Sequence, residues 1–456
     1  MAKDDRQEFS KFLPYLWLIV SVSALAFISS RYGQDILRNV QDLEDVPGAP
    51  ILFTISLIGL CSFISFYATN GTVLPSFVIA ITFGIAGREL FAPLIANHLL
   101  LRALVTGLAA LILFGGGVEM TVGRFMRIVS KVLLLAVPGL LLTAIALSFT
   151  VSGASSILGF TVAPAVIILL GAILASTDPA AIIPVLQTVR FKRQEPKDIV
   201  VAESALNDVV GALLTTVFLK LPLAGFGILA AYQSLVGVAT LRFLGVQAGY
   251  GLLFGIAAYF LLAIISQLKR RHPEAYGADQ LFFLVTPFIA FVGAALFGGS
   301  GFLAAFIAGL LFHTQEHMNA IEHFFNQVID GIAKPIIFLL VGALVDVDAL
   351  IHYAPIGIAV GLVFMFVIRP AIVFLMLGFY RLLPNRSNGL SIGELLFISF
   401  VRETGAIPAV LLVTAVSTLG PAVNGLVEIG MWVILLTLVI APPLTPYAAL
   451  KLGVAE

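Results

Sequence analysis

The sequence predicts an all-α polytopic membrane protein of about 14 transmembrane helices, built as two inverted seven-helix repeats with two broken crossing helices. Three observations predict it: an apolar composition, the number of apolar stretches, and similar sequences at corresponding places in the two halves. Hydrophobic residues make up 60% of the 456 residues and charged residues only 11%. A soluble protein of this length needs far more charge on its surface, so the composition indicates a membrane protein.

The apolar stretches give the positions of the spans. A helix needs about 20 mostly apolar residues to cross about 30 Å of hydrocarbon. The predicted spans are approximately 12–30, 51–68, 73–87, 101–120, 128–150, 161–187, 199–221, 244–267, 281–298, 301–313, 332–349, 355–381, 392–416 and 425–450. The first stretch follows basic residues but lacks a small-residue cleavage site, so we interpret it as a retained span rather than a removed leader. The stretch 222–242 is interpreted as an interfacial helix.

The basic residues predict the orientation of these spans. With the N-terminus inside, most of the 25 Lys and Arg residues fall in inner segments and few in outer loops, as the positive-inside rule requires. Treating 222–242 as a span would place the basic cluster at 269–271 outside. We therefore expect a single multi-pass unit in the cell inner (plasma) membrane, surrounded by lipid, with both termini cytoplasmic and no soluble tail after the last span.

Composition also excludes some classes of site. The single cysteine, Cys61, cannot form an internal disulfide or a cysteine-based metal cluster. The formal net charge is zero and no long basic run is present, so nothing indicates a nucleic-acid partner. The chain contains no phosphate-binding G-x-x-x-x-G-K-[ST] loop, which argues against a primary pump.

The halves carry similar sequences seven spans apart. Residues 113–119, at the end of the fourth span, resemble 340–346 at the end of the eleventh, and 176–184 in the sixth resemble 403–409 in the thirteenth. An odd number of spans per repeat turns one half upside down relative to the other, as in many secondary transporters.

Spans 6 and 13 also contain helix breakers, namely Pro179 in the sixth and Gly405 and Pro408 in the thirteenth. Broken backbone at membrane depth is tolerated only where it lines a cavity or is buried in protein. We therefore expect both helices to unwind at the centre of the bilayer.

Ionisable residues inside spans predict where the site lies, because they are costly there and usually functional. Asp208 lies nine residues after Ile199, about 14 Å into its span. Glu203 precedes it on the same helix, and Asp178, Arg369 and Arg402 fall at a similar depth. This clustering predicts a single site near the midplane.

The predicted site suits a small monovalent cation. Sodium and potassium take oxygen ligands, which Asp208, Asp178, Ser204, Thr177 and a broken backbone would supply. Burial disfavours the charged form of a carboxylate, so such a group binds protons readily. A carboxylate that binds either a proton or a cation, never both, exchanges one for the other. We expect Glu203 to form a structural, charge-balancing pair with an arginine.

The motifs at this point resemble those of a known family. Glu-Ser-Ala-Leu-Asn-Asp at 203–208, preceded by Thr-Asp-Pro at 177–179, is similar to the signature of the monovalent cation/proton antiporter superfamily. The resemblance is to the NhaP-type sodium/proton exchanger branch, which includes bacterial potassium/proton antiporters linked to cell-volume regulation. It extends from about residue 111 to the end of the chain.

The resemblance implies roles for individual residues. Asp208 would be the alternating carrier of proton and cation, with Thr177, Asp178 and Ser204 completing the cation site. Asn207 stands where electrogenic relatives have a second aspartate, which implies electroneutral one-for-one exchange. Arg369 would pair with Glu203.

The resemblance also implies an assembly. It predicts a homodimer without cofactors, in which a scaffold domain (12–120 and 244–349) forms the interface. A core domain (128–221 and 353–450) would carry the ion by an elevator-like movement.

Two positions depart from the family pattern. Gly115 stands where family members often have an acid, so this position supplies no acidic ligand. The usual Arg-Gly pair of span 13 reads Arg-Glu-Thr-Gly at 402–405. We therefore expect a charge-balancing role for Arg402 and Glu403 without assigning their partners.

Two other functions remain open. A cation channel could be lined by the same broken helices, although an inverted repeat and a buried carboxylate favour occlusion over conduction. His313, His317 and the intervening residues match H-x-x-E-H, the motif of an inverted zinc peptidase. This short motif arises easily by chance. We interpret His313, His317 and His323 as loop histidines, with sensing of cytoplasmic pH as the alternative.

Overall fold

The computed structural model describes residues 2–43, 45–68, 75–177, 186, 189–271, 278–312, 319–382 and 389–456. Within them the chain is helical, with an isolated bridge between Phe191 and Ala455. We number the α-helices of the described residues in chain order: α1 Ala2–Gln41, α2 Ala49–Ala68, α3 Ser76–Ala86, α4 Arg88–Ala96, α5 His98–Val118, α6 Val122–Leu134, α7 Leu140–Leu158, α8 Pro164–Leu174, α9 Glu195–Leu219, α10 Ile228–Gln233, α11 Val238–Arg271, α12 Ala278–Leu296, α13 Gly301–Leu311, α14 Asn319–Val328, α15 Lys334–Leu344, α16 Val347–Val363, α17 Arg369–Leu377, α18 Ile392–Phe400, α19 Ala406–Leu419 and α20 Leu426–Lys451.

The helices confirm a polytopic all-α protein but do not confirm the count of 14 spans. Within the described residues, ten helical segments are long and apolar enough to cross a bilayer, or eleven if a bent pair is counted as one span. Three shorter apolar helices, Pro164–Leu174, Leu281–Leu296 and Gly301–Leu311, coincide with other predicted spans. Within the stretch 222–242, residues 228–233 form the six-residue α10, which is too short to span, and residues 238–242 already belong to α11.

The third predicted span ends at a sharp bend of the chain. Helices α3 and α4 meet at Gly87 with a bend of 87°. A Cβ atom at Gly87 would lie 2.5 Å from the ring of Phe91, so the tight turn needs a residue without a side chain. Helix α3 lies within the predicted span 73–87, and the chain turns sharply directly after it, where this glycine permits the bend.

Two helix pairs show the repeat directly. Gly84 of α3 and Gly342 of α15 pack on each other's helix, and Cβ atoms there would lie 2.0 and 2.3 Å from backbone oxygens. Gly309 of α13 and Gly117 of α5 form the same reciprocal contact, with distances of 2.1 and 2.4 Å. Spans 3 and 11 thus pack as spans 10 and 4 do, which is the relation an inverted repeat of seven spans requires. Small residues allow such close approach of helices in membranes.

Spans 5 and 12 carry corresponding π-helical turns. The turn Leu135–Gly139 joins α6 to α7, and Phe364–Ile368 joins α16 to α17. A proline lies in or just after each turn, Pro138 and Pro370. Proline has no N–H to donate and crowds the preceding turn, which favours a wider turn. The second turn ends directly before Arg369, so it helps to set the position of that side chain.

Spans 6 and 13 are interrupted, as predicted. Helix α8 ends at Leu174 and the described backbone of 176–177 is not helical; residues 178–185 and 187–188 lie outside the described residues. In span 13, α18 ends at Phe400 and α19 begins at Ala406. The residues between them carry Arg402, Glu403 and Thr404, all buried.

A half-exposed ion pair joins the start of α4 to the N-terminus of α16, and it gives a pH-dependent prediction of stability. Arg88 Nη1 lies 2.8 Å from Asp346 Oδ2, and Asp346 Oδ1 caps α16 by accepting from the N–H of Ala349 at 3.1 Å. The hydrogen bond from Arg88, then that from Ala349, lowers the pKa of Asp346 below its ordinary value. The resulting stabilisation is present above the unfolded-state pKa, about 3.9, and is lost as pH falls through the lower folded-state value.

We therefore expect Asp346→Asn to lower the Tm at pH 7 and to have a smaller effect at pH 3, where more of the wild-type carboxylate is protonated. Asparagine still caps the helix, whereas Asp346→Ala also loses the cap and should cost about 1 kcal/mol more at both pH values. Thermal unfolding of the purified protein between pH 3 and 7 measures both differences. Equal Tm values for wild type and Asp346→Asn at pH 7 would contradict a stabilising charge.

Candidate functional site

Helix α9 presents four polar residues to the protein interior. Glu203 and Asn207 are four residues apart, as are Ser204 and Asp208, so each pair shares one side of the helix. All four are buried; Asp208 is 3% exposed and the others are fully inaccessible. One helix therefore supplies two adjacent polar stripes to a dry interior.

The stripe of Ser204 and Asp208 faces the unwound end of span 6. Ser176 Oγ donates to Asp208 Oδ1 at 2.5 Å, and Ser204 Oγ donates to the backbone carbonyl of Thr177. The two serines thus join α9 to the chain that follows α8. Because the carbonyls at the C-terminal end of α8 carry a partial negative charge, this junction favours a cation.

The stripe of Glu203 and Asn207 faces two buried arginines. Arg369 Nη2 lies 3.4 Å from Glu203 Oε1, and Arg402 forms a salt bridge with Glu203 Oε2. Asn207 Nδ2 donates to Glu203 Oε1 at 2.5 Å. Arg369 and Arg402 are 1% and 3% exposed, so two buried guanidinium groups from two other spans share the Glu203 carboxylate.

Thr177 joins the two stripes. Its Oγ1 accepts from Arg402 Nη1 at 3.0 Å and from Asn207 Nδ2 at 3.3 Å. A hydroxyl oxygen has two acceptor positions, and both are used here. The Thr177 hydroxyl oxygen therefore has no lone pair left for a cation in this conformation, whereas its carbonyl accepts the hydrogen bond from Ser204 and keeps a second lone pair.

The break in span 13 brings more polar groups beside this cluster. Glu403 is fully buried and lies three residues before α19, where the positive end of the helix dipole favours a carboxylate. The N–H of Thr404 donates to Thr437 Oγ1 of α20 at 3.0 Å. Side-chain hydroxyls thus replace helical hydrogen bonds that the break removes.

Some buried polar atoms have no hydrogen-bond partner among the described residues. They include Asn207 Oδ1, Thr404 Oγ1, and Nε and Nη1 of Arg369. Unmet buried polar groups are uncommon in native proteins. Their concentration around Asp208 and the two broken spans is typical of a site that holds water or ions.

Four of the residues predicted from the sequence are not part of the described cluster. Asp178 lies outside the described residues, and so do His313 and His317. His323 is exposed on α14. Gly115, where the family often has an acid, faces the π-helical turn Ile329–Ala333 that follows α14, and a Cβ atom there would lie 2.3 Å from Ile329 Cδ1. Its neighbour Gly116 contacts Ala205 of α9. Among the described residues, no group of three His, Cys, Asp or Glu side chains could hold a metal ion.

Sequence analysis missed three contributors, Ser176, Gly211 and Thr437. Ser176 stands directly before the Thr-Asp-Pro motif, and Gly211 lies three residues after Asp208 on the same side of α9. A Cβ atom at Gly211 would lie 2.8 Å from Ser176 Cβ, so this glycine lets the unwound chain approach Asp208. A glycine one helical turn from a buried acid was the available signal.

We expect Gly211→Ala to push Ser176 away from Asp208. Overpacking of this kind costs about 1–3 kcal/mol, which corresponds to about 5- to 150-fold in affinity for the expected cation if it falls on the bound state. Gly153→Ala is the matched control, since a Cβ atom there meets nothing within 4 Å in another helix. The apparent KM for the cation in vesicle transport measures the effect. Equal KM values for the two variants would show that the Ser176–Asp208 contact is not needed.

Comparison with known proteins identifies the family of this chain. The family model described as "Sodium/hydrogen exchanger, transmembrane" matches residues 52–450. K(+)/H(+) antiporter NhaP of Alkalimonas amylolytica is 28% identical over 373 residues, which cover 79% of this chain and 60% of that protein. Na(+)/H(+) antiporter 1 of Methanocaldococcus jannaschii is 29% identical over 322 residues, which cover 66% of this chain and 68% of that protein. The match thus spans 60% of the length of the first relative.

Solved structures have the same fold. The structure of the sodium proton antiporter MjNhaP1 from Methanocaldococcus jannaschii at pH 8 covers 96% of this chain and 99% of its own, with a TM-score of 0.61 and 22% identity. An electron-microscopy map of the same antiporter gives a TM-score of 0.65 and 23% identity over 89% of this chain. The motif around Asp208, the paired broken spans and the family match lead to one assignment: the chain belongs to the transmembrane sodium/hydrogen exchanger family.

Proposed function

We propose that this protein is a secondary active antiporter that exchanges a monovalent cation, sodium or potassium, for protons by alternating access. One observation carries the proposal: Asp208 is a carboxylate 3% exposed in the interior of a membrane-spanning helix, held against an unwound segment by Ser176. A carboxylate so placed is neutralised by either a proton or a cation. The relatives' names include both a potassium and a sodium antiporter, so the proposal leaves the choice of cation open.

The arrangement supports exchange at Asp208 because binding is exclusive. A buried charge is costly, and either a proton or a cation removes that cost. Binding of one therefore opposes binding of the other at the same carboxylate. When only the neutralised forms of the site cross between the two faces of the membrane, an inward proton movement drives an outward cation movement, or the reverse.

We propose that the cation is held by oxygens on two elements. Asp208 and the hydroxyl of Ser204 come from α9, and Ser176 and Thr177 come from the chain after α8. Thr177 contributes its carbonyl, since its hydroxyl oxygen already accepts from Arg402 and Asn207. Asp178 supplies a further carboxylate in this proposal.

The surrounding charges support one-for-one exchange. The charges of Glu203 and Glu403 offset those of Arg369 and Arg402. Among the described acids of the site, Asp208 is then the one whose charge is neutralised by the transported ion. Asn207 is neutral and is engaged with Glu203, so it adds no second titrating group. One proton for one monovalent cation leaves the net charge movement at zero.

The domain arrangement and location are part of the same proposal. Residues 12–120 and 244–349 form a scaffold that makes a homodimer, and residues 128–221 and 353–450 form a core that carries Asp208 across the inner membrane. Both termini are cytoplasmic. The cluster supports a rigid core, because Glu203, Arg369 and Arg402 tie three of its spans together.

The alternatives have weaker support. A channel would need a continuous polar path, whereas the described polar groups around Asp208 are buried and bonded to one another. The zinc-peptidase motif depends on His313 and His317, which lie outside the described residues. No observation of the structure favours either function.

The test is dissipation of a proton gradient in everted membrane vesicles on addition of sodium, potassium or lithium. We expect saturable dissipation by at least one cation, with the same rate when the membrane potential is clamped at zero. Conduction that is not saturable, and that changes the membrane potential, would indicate a channel instead. No response to any of the cations would contradict the proposal.

A further inference from the structure

One face of α11 carries a groove that no other part of the described chain fills. The groove has a volume of about 530 Å³ and is lined by Arg242, Gly245, Val246, Gly249, Tyr250 and Leu253. These residues recur at intervals of three and four, so they form one stripe along the helix. The stripe extends over about 16 Å, close to the depth of one leaflet of a bilayer with a core of about 30 Å.

The two faces of α11 differ in how their glycines are used. Gly251 and Gly255 pack against α13, where Cβ atoms would lie 2.9 Å from Ser300 O and 2.7 Å from Ile307 Cβ. Gly245 and Gly249 have the same spacing, but a Cβ atom at either would meet nothing within 4 Å. The first pair is occupied by a neighbouring helix, and the second leaves a concave strip between exposed side chains. Leu253 at its far end is 56% exposed.

The near end of the groove is basic. Arg242 is exposed and has no ion-pair partner among the described residues. The Lys220 Nζ atom at the end of α9 lies 4.2 Å from the ring centroid of Phe243, the residue after Arg242. Lys220 therefore brings a second cation to the residue next to Arg242, near the basic end of the apolar strip.

We propose that this groove binds an anionic phospholipid of the surrounding bilayer, with the phosphate at Arg242 and Lys220 and an acyl chain along Gly245, Gly249 and Leu253. Charge complementarity selects this occupant: a phosphate accepts hydrogen bonds from a guanidinium, and the strip below it offers only apolar contact. The site is separate from Asp208 and does not depend on the transported ion.

A second copy of the chain fits the groove less well. Two copies inserted with the same orientation are related by an axis normal to the membrane, so their α11 helices would run parallel. Where α11 packs against α11 of the second copy, residues at the same level face each other, and Arg242 of one copy would meet Arg242 of the other. A phosphate at that level relieves the repulsion that a second arginine would create.

The test compares lipid retention after reconstitution in vesicles of phosphatidylcholine and phosphatidylglycerol in equal amounts. Native mass spectrometry of the re-extracted protein gives the ratio of the two lipids bound to each chain. We expect wild type to retain phosphatidylglycerol preferentially and Arg242→Gln to lower that ratio about fivefold, the effect of one basic residue near an anionic headgroup. Arg102→Gln, which removes an exposed arginine from α5, should leave the ratio unchanged.

A second pair of variants tests the strip and its occupant. Gly249→Leu should displace both lipids, and the open space at this position makes a folding defect unexpected. An unchanged ratio in Arg242→Gln, or unchanged retention in Gly249→Leu, would overturn the proposal. Efficient disulfide cross-linking between copies carrying Gly249→Cys in a Cys61→Ser background would also overturn it, because a second chain would then occupy the groove.

Discussion

Asp208→Asn is expected to reduce cation-dependent proton exchange to background while leaving the protein folded. Asparagine keeps the shape of aspartate and can still accept the hydrogen bond from Ser176. It cannot bind and release a proton, and it offers a cation no charge. The variant should be at least as stable as wild type, because removal of a buried charge removes a desolvation cost.

Proton-gradient dissipation in everted vesicles measures this loss, and thermal unfolding of the same preparation checks the fold. Asp348→Asn is the control, since Asp348 is an exposed acid in the first turn of α16. It should exchange like wild type. Asp208→Glu should retain part of the activity with a shifted pH profile, because the carboxylate remains but moves by about one methylene.

Unimpaired exchange in Asp208→Asn would show that Asp208 is not the carrier, and it would indicate either another acid in that role or a channel. If Asp208→Asn loses both its fold and its activity, the activity of Asp208→Glu decides whether a carboxylate is needed at this position. A folded and inactive Asp208→Glu would show that the position of the carboxylate, as well as its charge, is required.

Glu203→Ala is expected to destabilise the protein by about 3–5 kcal/mol, the usual cost of leaving one side of a buried ion pair without its partner. The substitution removes the carboxylate that Arg369 and Arg402 share, and both guanidinium groups are buried. Asp35→Ala is the control, because its pair with Arg38 is about 70% exposed and should contribute about 0–1 kcal/mol. The measurements are Tm and the yield of monodisperse protein.

The double variant Glu203→Ala with Arg369→Leu separates structure from transport. Removing one of the two unpaired charges should restore part of the Tm. Recovery of exchange with the Tm would support a structural role for Glu203. A stable double variant without exchange would show that Glu203 takes part in ion transfer, and no recovery of Tm would contradict the proposed charge balance.

Much of the site could be predicted because charge in a membrane is costly. Glu203, Asp208, Arg369 and Arg402 stand out in apolar stretches, and Asp208 could be placed at mid-depth by counting helical rise. Which of these side chains contact each other was harder to predict from the sequence. The role of Arg402 stayed open in the sequence, and the structure brings it to both Glu203 and Thr177, 225 residues away in the chain.

The internal repeat could likewise be predicted from the sequence only in part. Similar sequences at 113–119 and 340–346 predict two related halves, but their alignment pairs Gly342 with Gly115. In the structure Gly117, two residues further on, makes the reciprocal contact with the other helix. A short alignment cannot fix register to within a turn of helix, since several small residues are adjacent and only one faces the partner.

Proline and glycine predicted the breaks in spans 6 and 13, because these residues disfavour continuous helix. Composition, hydropathy and the placement of charge determined the membrane class, the approximate spans and the acid at the centre of α9. These features depend on the transfer of each residue from water to lipid, which is a local property of the sequence. The tertiary structure decided the bend at Gly87, the use of the Thr177 hydroxyl by two donors, the approach of Ser176 past Gly211 and the open face of α11. Those features depend on which helix faces lie within a few ångströms of each other, and packing between distant segments sets these distances.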